Sequence, residues 1–289
     1  MTEHLRRIEV SGFAAYIADN EAVGIHRAGY NGVASLVPPT TGNNIFVPSY
    51  CGLNYECTWI EGLEQSEAEM FEPRRAPMSI IDADRTSVLL HQPPTAAKGI
   101  EAFITFRAEE PHYLHQHVRI VFHDRRTEGR RFTSLWASYM HAPPDRHVYM
   151  QRGGEGLSGW VGITKQRHRA PYYIVHDLPP RELSAQEHVE LAADPPEPPR
   201  SESLGGPLDF YYGVYFDHAL IMMFARSEGV GLAYSPNGGD ELPPWNPAWD
   251  YVLAADKIVL GEPYEWDLCA AVKPFAGRLD VLEEAARYR

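Results

Sequence analysis

The sequence predicts an all-β fold, a large antiparallel β-sandwich with one or two short helices. Three observations point there. Short runs of period-2 alternation recur along the chain, about 14–18 of them, separated by Gly, Pro and Asn turn signals. Strand-like runs do not alternate with helical ones, which argues against a parallel βαβ sheet. A length of 289 residues with 44% apolar content suits one large all-β domain. The expectation is a single domain over residues 1–289, with a Pro-rich surface excursion at about 179–207.

The chain opens with two alternating runs, RIEVSGF and FAAYIAD, and Gly24, Gly29 and Gly32 punctuate the turns that follow. TTGNNIFVPSYCGLNYECTWIEG reads as a turn at Gly42-Asn43-Asn44, a short strand Ile45–Val47 and an aromatic loop. The acidic stretch EGLEQSEAEM suits one solvated helical turn. Pro73 and Pro77 then bracket Arg74-Arg75 on a constrained segment. Ser79–Ile81 and Ser87–Gln92 pair around a turn at Asp82-Ala83-Asp84. The block Ile100–Pro143 reads as three consecutive antiparallel strands. Further strands are expected near Gly159–Ile163 and Tyr172–His176, and at most one short helix around Ser184–Leu191. After a hairpin series and two more strands, GRLDVLEEAARY closes the chain as a helix with Leu279, Leu282 and Ala286 on one side.

Composition narrows the partners. A net charge of −13 with no Lys/Arg-rich run disfavours nucleic acid or an anionic membrane, because both would repel the chain. The opening residues lack the apolar region of a secretory signal, and no apolar stretch reaches membrane-spanning length. Cys51, Cys57 and Cys269 form no C-x-x-C pair, which suits reduced structural thiols and a cytoplasmic setting. A homo-oligomer is left open.

The middle strand of the central block, YLHQHVRIVFH, sets two faces apart. Leu114, Gln116, Val118, Ile120 and Phe122 point one way; His115, His117, Arg119, Val121 and His123 point the other. The polar face either meets solvent or lines a cleft for a hydroxyl-rich or anionic ligand. His115-x-His117 also has the spacing to chelate one metal, with Glu101, His91 or His141 as a third ligand. No cofactor is required by these motifs, and a divalent metal at His115 and His117 is the alternative. Arg74 and Arg75 suit a carboxylate, a phosphate or vicinal hydroxyls, against a structural ion pair with Glu72 or Glu56. The 16 Tyr, 11 Phe and 6 Trp provide flat surfaces for sugar rings, or simply a β-rich core.

The layout resembles the galactose mutarotase-like (aldose 1-epimerase-like) β-supersandwich. YNGVASLVPPTTGNNIFVP is similar to the early region of that superfamily. YLHQHVRIVFHD followed by RFTSLWASYMHAP resembles its central strand of the type L-x-x-x-V-x-I-x-x-H and the polar segment after it. Where epimerases carry an adjacent Asn-His, this chain has Trp136-Ala137-Ser138-Tyr139-Met140-His141. For their late glutamate it offers Asp240, Glu241 and Asp250 as positional candidates. GLNYE, FEPRRAPM, WASYM and NPAWDY also look like segments of bacterial proteins of this shape that lack the standard catalytic motif.

The resemblance implies a carbohydrate-active protein acting on a sugar or sugar acid, as an epimerase, isomerase or lyase. A non-catalytic sugar-binding module and a His-ligated metal-dependent sugar enzyme are the alternatives. Acid–base chemistry would fall to His115 or His117 as acid and to Glu101 or Asp250 as base. Arg74, Arg75, Trp136, Tyr139, His141, Tyr212 and Trp249 are the substrate-binding candidates. No G-x-S-x-G, activated cysteine or Gly-rich phosphate loop is present.

Overall fold

The computed structural model describes residues 3–151, 160–164, 187–190, 208–235 and 246–288. Seventeen strands and three α-helices are found among them. The expected strand at Tyr172–His176, Asp240 and Glu241, and most of the excursion at 179–207 lie outside the described residues. Within that excursion residues 187–190 form a strand, correcting the helix expected there.

The largest layer is a ten-stranded sheet. Along its edge-to-edge order run β12 (Glu187–Glu190), β11 (Trp160–Thr164), β10 (Val148–Gln151), β13 (Phe210–Tyr215), β14 (His218–Phe224), β17 (Pro263–Pro274), β8 (Tyr113–Phe122), β7 (Ile100–Glu109), β6 (Ser87–Gln92) and β5 (Ser79–Ala83). Every pair is antiparallel except β11 with β12. A four-stranded sheet packs over it, ordered β15 (Val230–Ser235), β16 (Ala248–Ala255), β9 (Phe132–Ala137) and β4 (Asn54–Ile60). A third sheet of β1 (Leu5–Val10), β2 (Phe13–Ala18) and β3 (Gly32–Val37) extends the same core.

The central block therefore splits. β7 and β8 pair in the large sheet from Ile100–Phe122 to Glu109–Tyr113, but β9 crosses to the opposite layer and pairs with β16 and β4. The stretch expected as strand Ile45–Val47 makes only a single bridge, Phe46 to Met140. The acidic turn is α1 (Glu67–Met70), where Ser66 and Glu69 form a reciprocal capping box. Arg74 and Arg75 end a second single-turn helix, α2 (Glu72–Arg75), with Pro73 in its first turn. The C-terminal helix is α3 (Arg278–Tyr288).

The core fills the space between the layers. Leu114, Val118, Ile120 and Phe122 of β8 meet Trp136, Trp249, Tyr251 and Leu253 of the small sheet, all buried. Trp136 stacks between Tyr55 (centroids 4.7 Å apart) and Tyr251 (6.0 Å). The Tyr251 hydroxyl donates across the core to Gln116, 2.5 Å away. Gly213 gives Trp249 its room, since a Cβ there would lie 2.2 Å from the indole. The outer face of the large sheet is covered in part by α3, with Val281 and Ala285 packed over Tyr212, Ile221 and Ala271. No helix among the described residues is long and apolar enough to cross a membrane, and all three cysteines are buried and unpaired.

Candidate functional site

On β4, Tyr55 pairs with Trp136 and Cys57 with Leu135, so Glu56 is an extra residue in a β-bulge. Tyr55 points inward; the bulge sends Glu56 and Cys57 together to the outer face of the four-stranded sheet. On β16, alternation sends Trp249 and Tyr251 into the core and Asp250 to that same outer face. The two carboxylates converge beside the Ala137-Ser138-Tyr139 corner, where β9 ends.

Hydrogen bonds fix the group. The Tyr139 hydroxyl donates to both Glu56 oxygens, at 2.8 and 3.0 Å. Arg74 reaches the same carboxylate at 2.9 Å and lies 3.7 Å over the Tyr30 ring. The Ser138 amide donates to Asp250 at 2.8 Å, and the Leu53 amide donates to the Ser138 hydroxyl at 3.1 Å. Leu53 and Cys51, flanking Gly52, both have positive φ (51° and 65°), so the loop entering β4 is held in a strained form next to this cluster. The Arg74 segment is tied down by Asn20, whose amide donates to Pro73 and Ala76 carbonyls and whose oxygen accepts from Asn31. Gly29, with φ +86°, lets the chain pass the Arg74 carbonyl, which a Cβ would meet at 2.8 Å.

Burial shapes the electrostatics. Glu56 and Asp250 are only 7% and 5% exposed. Burial, reinforced by the Glu56 charge, pushes the Asp250 carboxyl well above the usual carboxylate range, although the Ser138 amide favours its ionised form. Burial and then Glu56 likewise push the Tyr139 phenol up. Burial works against the Arg74 charge, but Glu56 and the tyrosines more than offset it and hold the guanidinium firmly protonated. Burial raises the Cys51 and Cys57 thiols, so neither is poised as a nucleophile. The arrangement pairs a carboxyl that favours its proton with one matched to a guanidinium, the pattern that separates acid and base roles.

Arg74 also lines a cleft of about 570 Å³, with Asn20, Gly29, Phe71, Arg75 and Pro77 among its walls. Arg75 is exposed and borders a second cleft of about 550 Å³ beneath Pro93 and Pro94.

Of the residues expected from sequence, the structure brings together Arg74, Tyr139 and Asp250, with Arg75 at the cleft edge. The histidine face lies elsewhere. His115, His117 and Arg119 do share one side of β8, but that side points away from the four-stranded sheet. There they face cross-strand carboxylates: His117 lies 2.9 Å from Asp267, His115 3.5 Å from Glu109 and Arg119 3.5 Å from Glu265. Glu101 is clamped between His91 and His123, each at 2.9 Å. Burial opposes ionisation of Glu101, but these two hydrogen bonds hold it below the ordinary carboxylate range. Burial, then Arg107, lowers His115.

The whole sandwich separates His115 and His117 from Asp250, so no one substrate atom reaches both, which corrects their pairing as acid and base. Nor does any group of three His, Cys, Asp or Glu among the described residues gather as a metal site, and His115 and His117 turn to different carboxylates.

The expected aromatic platforms divide as well. Trp136 and Trp249 are fully enclosed between the sheets, and Tyr212 is buried on the α3 side. None of the three faces the cleft, and each corrects the expectation of substrate contact, because all three are spent on packing. His141 is exposed next to the Met140 bridge. Tyr30 and the bulge that turns the buried Glu56 to the outer face of the sheet left no signal in the sequence. A Pro-flanked arginine and a Glu within one short aromatic loop was the available signal for the Arg74–Glu56 pair.

No protein-family model matches this sequence, and no curated protein does. Solved structures do share its fold. A candidate aldose 1-epimerase from Escherichia coli K12 superposes with a TM-score of 0.57 at 10% identity, over 94% of this chain and 99% of that one. The galactose 1-epimerase from Lactobacillus acidophilus gives 0.51 at 10% identity, over 93% and 95%. An aldose epimerase homologue from C. elegans gives 0.51 at 8% identity, over 93% and 99%. The chain thus shares the β-sandwich fold of these solved epimerase structures, in agreement with the resemblance read from the strand rhythm.

Proposed function

We propose that the outer face of the four-stranded sheet is a carbohydrate site, and that the chain acts on a sugar or sugar acid by acid–base catalysis of the epimerase or isomerase type. The observation that carries this reading is the Glu56–Asp250 carboxyl pair beside the Arg74-lined cleft. In such a reaction Asp250 gives its proton to the ring oxygen while Glu56 takes the proton of the anomeric hydroxyl. The C–O ring bond breaks as the carbonyl forms, rotation turns the aldehyde face, and reclosure returns both protons. Arg74 and Tyr139 hold Glu56 in place and neutralise its charge between turnovers. The fold shared with aldose and galactose 1-epimerases supports a sugar as the ligand class.

The test uses D-glucose, D-galactose and D-glucuronate, with anomer exchange followed by NMR and binding by calorimetry. Asp250→Asn and Glu56→Gln are expected to keep binding and lose roughly 100-fold or more in exchange rate. Unchanged exchange in both variants overturns the catalytic roles. A second reading is a sugar-binding protein without catalysis. It is favoured by the way Tyr139 and Arg74 already occupy Glu56, and binding with no exchange by the native chain would select it. Three buried, unpaired thiols support a reducing, cytoplasmic setting for either.

A further inference from the structure

Asn54 is fully buried, and neither its side-chain oxygen nor its side-chain nitrogen has a hydrogen-bond partner among the described residues. Orphaned buried amides are rare, because a carboxamide taken from water without partners destabilises the fold. Its direction follows from the strand. Asn54 pairs with Ala137 and Tyr55 with Trp136, and Tyr55 stacks on Trp136 in the core. Alternation therefore sends Asn54 to the opposite side, onto the outer face of the four-stranded sheet. Ala137 packs there with Tyr30, Tyr50 and Tyr139. Asn54 thus stands two residues before Glu56, against the corner whose Ser138 amide holds Asp250.

We infer that Asn54 is a substrate-binding residue, its carboxamide gripping two adjacent hydroxyls of the sugar ring beside the Glu56–Asp250 pair. The amide nitrogen donates to one hydroxyl oxygen while the amide oxygen accepts from the next, a match to vicinal hydroxyls that a carboxylate or a lone hydroxyl side chain does not offer. Tyr30, Tyr50 and Tyr139 pack against one another next to its strand partner Ala137, so the surroundings of this amide are largely aromatic. The inference rests on the carbohydrate reading above but not on its catalytic assignments.

The experiment compares the native chain with Asn54→Leu, close in shape and apolar, and Asn54→Ala. Both are melted and titrated with D-glucose, D-galactose, D-glucuronate and their monodeoxy analogues. Removing an unpaired buried amide is expected to leave the melting temperature unchanged or raised. Binding of the parent sugar should weaken roughly tenfold or more, since a polar site loses its partner. One deoxy analogue should bind the native chain weakly and Asn54→Leu no worse than the parent sugar does. If both variants melt as the native chain does and bind every sugar equally well, Asn54 serves an internal water alone and the inference is overturned. Should Asp250→Asn and Glu56→Gln leave exchange intact while Asn54→Leu still weakens binding, the catalytic roles fall and Asn54 stands. Native chain that binds no sugar in the panel overturns both. If Asn54→Leu melts low, Asn54→Ala decides.

Discussion

The Tyr139 hydroxyl donates to both oxygens of the Glu56 carboxylate, at 2.8 and 3.0 Å, from the corner where β9 turns away from the small sheet. Two strands that meet only through tertiary folding thus share one buried acid. Tyr139→Phe removes this donor and little volume. It is expected to cost about 1–3 kcal/mol, the cost of leaving a buried acceptor short of a partner, read from urea denaturation. Turnover should fall with it, while the far-UV spectrum stays native.

The guanidinium side of the same acid behaves differently. Arg74→Met leaves Glu56 charged, buried and without a counter-ion, and should destabilise by about 3–5 kcal/mol. Adding Glu56→Gln to Arg74→Met should restore much of that loss. A double variant no more stable than Arg74→Met would show that the pair is not coupled.

Asp250 has its folded pKa raised by burial and by Glu56, above the ordinary value of 3.8. The folded state therefore holds its proton more tightly than the unfolded chain. The stability it contributes is full below that ordinary value and is lost as pH rises through the higher, folded one. Asp250→Asn carries no such charge and keeps an acceptor for the Ser138 amide. The variant should gain on the native chain as pH rises above the ordinary value of 3.8, measured by denaturation at each pH. A constant difference would contradict the shift.

Lys98 titrates with the opposite consequence. It is buried, donating to the Thr58 carbonyl at 2.7 Å and to Gln65 at 3.3 Å, and burial lowers it from 10.5 to about 8, against the pull of Glu72. Its contribution is present above 10.5 and lost as pH falls through about 8. Relative to Lys98→Met, the native chain should gain on the order of 3 kcal/mol between those two limits. A flat difference would mean that Lys98 keeps its ordinary pKa.

His117→Ala tests the polar outer face of β8. The His117–Asp267 pair is exposed, with 41% and 66% of the two side chains in solvent. The substitution should change stability by no more than about 0.5 kcal/mol and leave sugar binding and exchange untouched. Lost turnover would return the chemistry to β8.

Much of the architecture was legible because it depends on local periodicity. The alternation in YLHQHVRIVFH separated Leu114 and Val118 from His115 and His117, and the structure has the same two faces. The Ser66 cap and the C-terminal helix rest on short-range signals too. The same alternation carries no record of which sheet a strand joins. FTSLWA reads as a strand next to β8, yet β9 pairs with β4 and β16 in the facing layer. Trp136 therefore lies at the centre of the core and not on a sugar-facing surface. Trp249 and Asp250 are neighbours in sequence, and the pleat puts one in the core and the other at the site.

The sequence by itself determined the all-β class, the resemblance to the mutarotase-like sandwich, and the candidacy of Arg74, Tyr139 and Asp250 as site residues. The tertiary structure decided that these three meet around Glu56 while the histidines face away. The physical reason is that strand periodicity is a property of adjacent residues. The meeting of Glu56, Arg74, Tyr139 and Asp250 depends instead on a bulge in β4, a strand that changes layers and contacts between residues as far as 112 positions apart.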